Sequence, residues 1–290
     1  MSLVQLLFNG LALGAAYALV ALGFVLVVNA TGAVNFAHGD LVMAGGYAAV
    51  LLGSWFDTRL IFLLPLVAAI MFILGVLLCF LAYFPLIKRP PSTIFISTLL
   101  CGMILENGYI VGFGPQAKAG PPLITGGAVP LGGMTLSVQS IATVGVAGLL
   151  VALQYLVFFR TQIGRRLRAV SEDREMAQAV GIPAFALIAV TFGFGTALAG
   201  IAGAILSNQF FVSPSGGISL SLYGYIAAVI GGWGSILGAV IGALIIAMFQ
   251  VVASAFVPYT VATGGLYVAL LVILFFRPQG VFGERIQRRV

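Results

Sequence analysis

The segment "NFAHGDLVMAGGYAAVLLGSW", Asn35 to Trp55, places the only histidine of the chain, an asparagine and an aspartate at the entrance of an apolar run broken by glycines. Near the other end of the chain, "GYIAAVIGGW" (Gly224 to Trp233) aligns without gaps with the "GYAAVLLGSW" that closes the first segment. Gly46 pairs with Gly224, Tyr47 with Tyr225, Ala49 with Ala227, Gly53 with Gly231 and Trp55 with Trp233. Each is read as a short helix, Gly39 to Gly53 and Leu220 to Gly232, too short to cross a bilayer comfortably.

The surroundings of these segments are apolar from end to end. Of 290 residues 61% are apolar and 7% charged, against roughly 25% charged in a soluble domain, and the mean hydropathy is +1.18. A membrane helix needs about 20 apolar residues. Helices are expected at about Leu3–Val28, Leu60–Ile87, Ser92–Gly112, Val138–Phe159, Ala184–Asn208, Gly234–Phe256 and Leu266–Phe276, and the two short segments make nine. No soluble domain fits between them. The expectation is an all-α polytopic bundle, a single transmembrane domain over residues 1–290 with about eight to nine membrane helices.

The paired segments suggest a duplication. "GAAYAL" from Gly14 also matches "GFGTAL" from Gly193, more weakly. If helices one to four (1–112) recur as helices six to nine (184–276) with the fifth between, the halves face opposite ways, a frequent transporter plan in which broken helices surround the path. The alternative is a chance match, since Gly, Ala and Tyr are common in membrane helices. Gly234, Gly238 and Gly242, and Gly195, Ala199 and Gly203, read as packing ridges that let helices approach closely.

Basic residues report orientation. Lys88 and Arg89 share one connection, Arg160, Arg165, Arg166, Arg168 and Arg174 another, and Arg277, Arg285, Arg288 and Arg289 form the tail; Arg59 and Lys118 lie elsewhere. Cytoplasmic placement of the three rich segments puts the N-terminus outside and the C-terminus inside. The net charge of +6 thereby has a topological cause, and no nucleic-acid partner is expected. The first span lacks a basic n-region and reads as a retained helix.

With so few charges, each intramembrane polar group is a candidate for function. Asn35, His38 and Asp40 are read as closing a tight re-entry, their side chains serving backbone groups that lipid cannot satisfy, with Asp40 beside the free N–H groups of a first turn. His38 could instead be a metal ligand or proton relay, but it has no Cys or Glu partner at ligand spacing. Glu106, the carboxylate deepest in an expected span, either lines a path or carries a proton, or is a structural acid bonded to a neighbouring helix. Tyr47 and Tyr225 are expected near the path.

One histidine leaves no triad to defend. Cys79 and Cys101 sit inside expected spans without metal or redox spacing. The lysines occur as "IKRP" and "AKAG", which excludes a P-loop, so ATP, if it is used, is bound by another chain. The connection "RTQIGRRLRAVSEDREMAQAVGIPAFAL" holds a polar segment, Arg168 to Val180, compatible with one exposed helix that stops at Gly181 and Pro183. Glu172, Asp173 and Glu175 alternate there with Arg168 and Arg174. It is a surface on which a soluble motor could dock.

Taken together, "NFAHGDLVMAGGYAA", "GRRLRAVSEDREMAQAVGI" and "GIAGAILS…GGWGSILGAVIGA" resemble the permease subunits of bacterial branched-chain amino acid ABC importers, the Liv type, in its LivH-like branch. The resemblance covers essentially the whole chain. It implies a multi-pass inner-membrane subunit beside a second, related (LivM-like) permease, two cytoplasmic ATPases that hold ATP and Mg, and an extracytoplasmic substrate-binding protein. This chain itself would bind no cofactor. Residues 160–183 would be its ATPase-coupling loop, with Arg168, Glu172, Arg174, Glu175, Ala177 and Gly181 corresponding to the EAA-type segment, although "EMA" stands in place of that triplet. Relatives of this type carry branched-chain or other amino acids, urea or short amides. A proton-coupled carrier working alone, centred on Glu106, and a passive channel are the rival classes.

Overall fold

The structure is a computed structural model, described here for residues 3–131, 134–277 and 280; Arg285, Arg288 and Arg289 lie outside the described residues. Eleven helices follow in chain order: α1 Leu3–Thr31, α2 His38–Phe56, α3 Leu60–Leu78, α4 Pro91–Phe113, α5 Val138–Arg160, α6 Gln162–Glu172, α7 Arg174–Ala179, α8 Ala184–Phe210, α9 Gly217–Gly231, α10 Ile236–Ser254 and α11 Tyr259–Phe276. A π-helical turn, Cys79–Tyr83, and a 3₁₀ turn, Phe84–Leu86, continue α3 to its end. Two antiparallel strands, β1 Ala128–Leu131 and β2 Met134–Ser137, form a hairpin before α5.

Eight of these helices are long and apolar enough to cross a membrane. The ninth apolar helix, α9, has 15 residues, about 22 Å at 1.5 Å per residue. It is short, as the sequence suggests. The other segment expected to be short is not: α2 runs on through Ser54, Trp55 and Phe56 to 19 residues, because its apolar character outlasts Gly53. The last helix starts at Tyr259, well before the expected Leu266, since the Thr and Gly residues of "YTVATGG" hide a helical turn that Pro258 introduces.

The long helices α1 and α8 form the centre. They cross where Gly23 faces Gly195, and a Cβ on Gly195 would lie 2.7 Å from the Gly23 carbonyl oxygen. Besides the α1–α8 crossing and α5 on α1, the principal packing partners are α10 on α1, α3 on α8, α8 on α2, α9 on α1 and α9 on α10. Exchanging α1 with α8, α2 with α9 and α3 with α10 carries each of these pairings into another observed one. Gly203 meets the Val42 backbone, and Gly238 and Gly242 meet α9 at Gly231 and Ala227. Gly234 does not belong to that ridge: it lies in the α9–α10 turn with φ of 81°.

Contacts between connections define two ends. At one end Gln5 donates to the Thr135 carbonyl, the Leu60 N–H donates to Pro122, and Lys118 pairs with Val212. At the other end Asn29 donates to the Gly234 carbonyl, and residues 29–33, Tyr83, Arg89, Val170, Ser171 and 173–175 surround one polar recess. The connections with Lys88, Arg89 and Arg160 to Arg174 therefore share one end, opposite Arg59 and Lys118.

Candidate functional site

The chain leaves α1 at Thr31, where Gly32 takes a φ of 67°, and re-enters the bundle. Asn35 Oδ1 accepts from the Ala37 N–H at 3.1 Å, the His38 N–H donates to the Asn35 carbonyl, and the Gly39 N–H donates to Ser221 Oγ of α9 at 2.7 Å. The Phe36 N–H donates to Thr98 Oγ1 of α4. This meets the requirement that a buried helix start must find partners for its free N–H groups. Asn35 serves the backbone as expected. The Ala37, His38 and Gly39 N–H groups go to Asn35 and Ser221, so that in this first turn the Asp40 carboxylate is left only its own N–H.

Asp40 instead points across the bundle. Its carboxylate oxygens lie against Gly102 of α4 and Gly217 of α9, so closely that a Cβ at either glycine would overlap them. Tyr109 Oη donates to the Asp40 carbonyl at 3.0 Å. Glu106 follows Gly102 by one helical turn and so shares its face of α4.

Both carboxylates line a cavity of about 400 Å³ with Asn35, Ser221 and Tyr225. The rest of its wall is apolar: Phe24, Leu99, Met103, Ile218, Leu222 and Trp233 take part. No basic side chain lines it among the described residues. Asp40 is 8% exposed and Asn35 3% exposed, while Met103 and Ile218 on the rim are 52% and 64% exposed. The cavity thus opens sideways through the flank between α4 and α9. Asn35 Nδ2 is buried without a hydrogen-bond partner.

His38 and Tyr47 lie apart from this cavity. His38 is buried, its Nε2 2.9 Å from the Val20 carbonyl oxygen of α1, with the Phe24 ring edge-on at 5.9 Å. Among the described residues no group of three His, Cys, Asp or Glu side chains could hold a metal. Tyr47 stacks on Tyr109 at 4.8 Å and on Phe113 at 4.6 Å, whereas Tyr225 meets Phe24 and Trp233 edge-on. The two aligned tyrosines have different surroundings.

The polar connection is two helices, not the single one expected over Arg168 to Val180. Asp173 adopts φ −151° and ψ 105° and accepts from the Met176 N–H at 2.9 Å, a capping aspartate that ends α6 and starts α7. Thr161 caps α6 in the same manner. Arg168 donates to the Phe158 carbonyl at the end of α5 and lies over the Phe158 and Phe159 rings. Arg174 and Tyr83 line the same recess and Ala177 is buried. Glu172 and Glu175 are exposed, and Gly181 is exposed with φ of 82°.

What sequence reasoning missed here is the apolar pair Met176 and Val180, 65% and 72% exposed on the basic end. Their spacing of four residues was a readable signal. Ser221 was also missed, and only its partnership with Gly39 distinguishes it from other serines of membrane helices.

Residues 6–276 match the model of the family described as branched-chain amino acid transport system / permease component. The chain is 31% identical to the high-affinity branched-chain amino acid transport system permease protein BraD of Pseudomonas aeruginosa, over 97% of this chain and 96% of that one. It is 32% identical, over the same shares, to the LivH permease protein of Escherichia coli strain K12. The similarity extends to LivM of Salmonella typhimurium at 26% identity, over 91% of this chain and 67% of that one.

Proposed function

The chain belongs to the family of branched-chain amino acid transport system permease components, and on that footing we propose that it is the membrane subunit through which an ATP-driven importer passes branched-chain amino acids. The observation that carries the reading is the lateral cavity. Carboxylates opening toward hydrocarbon would be costly, so this flank requires a polar or proteinaceous neighbour. A second permease with its own re-entry on that side encloses the cavity as a central path. Similarity to both LivH and LivM relatives supports a pair of related subunits.

Driving force comes from partners. Two ATPases, holding ATP and Mg, dock on the basic end, where α7 and the residue that ends it present Met176 and Val180 among Glu172, Glu175 and Gly181. Arg168, Arg174 and Ala177 hold this platform to the bundle rather than touching the ATPase. Displacement of α7 passes through the short 180–183 link into α8, whose glycines contact α1 and α2 directly. The cavity, bounded by α2 and α9, then opens alternately to either side. Residues 1–112 and 184–276 are proposed to be inverted repeats that rock against each other, an arrangement supported by the exchange of helix contacts. The basic end lies in the cytoplasm of a bacterial cell, the N-terminus outside, and an extracytoplasmic binding protein delivers substrate to the opposite end.

The test is purification of the tagged chain in mild detergent, with mass spectrometry and an ATPase assay of what accompanies it. Two ATPases and a related permease are expected, and exchange of Met176 and Val180 together for Asp should release the ATPases. A lone chain that transports leucine without ATP overturns the proposal.

A further inference from the structure

The lateral cavity offers three kinds of surface. Asp40, buried, and Glu106, half-buried, supply negative charge with no basic side chain among the cavity lining, and charge withdrawn from water in this way demands a cationic partner or a proton. Asn35 has given its Oδ1 to the Ala37 N–H, so the orientation of its amide is set, and its buried Nδ2 is left as a donor without an acceptor. Such a group costs free energy until something supplies the acceptor. The remaining wall, with Leu99, Met103, Ile218 and Leu222, is aliphatic.

We infer that this cavity holds the transported molecule as a zwitterion: Asp40 and Glu106 receive its ammonium group, Asn35 Nδ2 donates to its carboxylate, and the aliphatic wall takes its branched side chain. The assignment rests on the permease reading above. A bare cation or a proton would leave the Asn35 donor and the apolar wall unexplained, and a simple amine would leave Asn35 unpaired. The His38–Val20 contact positions the re-entry without reaching the ligand. An ethanolamine lipid headgroup shares the ammonium and the anion, so the experiment must separate it from a free amino acid.

The experiment uses the complete complex without its binding protein, in nanodiscs of phosphatidylcholine alone and, in parallel, of phosphatidylcholine with phosphatidylethanolamine, with radiolabelled leucine as probe. Isoamylamine, which lacks the carboxylate, and 4-methylpentanoate, which lacks the ammonium, serve as competitors. Asp40→Asn and Glu106→Gln should each weaken leucine binding at least ten-fold and abolish competition by isoamylamine while sparing that by 4-methylpentanoate. Asn35→Leu should do the reverse, and Asn107→Ala, an exposed change on the same helix, should do neither. Leucine binding unaltered in both carboxylate variants, no leucine binding by the wild-type complex, or a Glu106→Gln defect that appears only when ethanolamine lipid is present overturns the assignment. Uptake of leucine by the wild-type complex with its binding protein and ATP is measured in parallel. Its absence overturns the permease reading, whereas its presence alongside unaltered variants overturns the zwitterion site alone.

Discussion

Alanine at Gly39 would place a Cβ 2.7 Å from the Gly217 carbonyl carbon and closer still to its oxygen. Carbon atoms pack at about 3.5–4.0 Å, so α2 and α9 must separate by roughly 1 Å. Overpacking of this kind costs about 1–3 kcal/mol. Separation also lengthens the Gly39 N–H to Ser221 Oγ bond, now 2.7 Å, and a buried donor stripped of its partner costs about 1–3 kcal/mol. The better helix propensity of Ala returns about 1 kcal/mol, which leaves a net loss of about 3 kcal/mol. Thermal unfolding can be followed with a thiol-reactive fluorogenic dye in a Cys101→Ser background, because Cys79 is buried and reacts only when the bundle opens. Gly145→Ala on α5 is the matched control, since its added Cβ meets nothing within 4 Å. Gly39→Ala should unfold several degrees below wild type and Gly145→Ala at or slightly above it. Equal midpoints for the two would show that the backbones of α2 and α9 are not in contact at this point, and the account of the re-entry would fall with them.

Gln250→Leu should destabilise the protein by about 2–4 kcal/mol, because buried Gln250 joins the hydroxyls of Tyr17, Tyr223 and Tyr259; the same dye assay reads it, and an unchanged midpoint contradicts the network. Arg168→Gln should lower stability by about 1–3 kcal/mol, through loss of its charged bond at the end of α5, and leave ATPase retention on the complex intact. Dissociation of the ATPases from otherwise stable Arg168→Gln would move Arg168 into the docking surface. Asp173→Ala should fray the start of α7 at a cost of about 1 kcal/mol and reduce ATP-driven uptake more than it reduces thermal stability, as measured in proteoliposomes; uptake and stability falling in step would make Asp173 merely structural.

Apart from the short α9, the apolar segments were legible because each is long against the bilayer and bounded by Pro, Gly or charge. The same offset that aligns Gly46 with Gly224 also aligns Gly39 with Gly217, the two glycines at which α2 and α9 meet. Other features depended on contacts between distant residues. Nothing near Glu106 in the chain signals that Asp40 lies across from it, since their approach is made by Gly102, whose missing side chain admits the carboxylate. Arg168 and Glu172 look alike as members of a charged run, yet one folds onto aromatic rings and the other faces outward. The break at Asp173 was readable as a capping residue, but interleaved charge favoured one continuous helix. The β-hairpin lies in a stretch whose composition gives no strand alternation long enough to stand out.

The near-complete enclosure of α1 bears on how the bundle is made. Its neighbour α10 lies far along the chain, and the Tyr17–Gln250 bond joins residues 233 positions apart. At about 5–20 residues per second a ribosome takes roughly 10–50 s to synthesise that interval. During that time α1 must rest in the bilayer with lipid standing in for α8, α9 and α10. Its lack of charged side chains makes this wait tolerable. Closure of the centre is then among the last events of assembly, and a chain arrested before α10 would expose the glycine-lined side of α1 to whatever other helices the insertion machinery has just released.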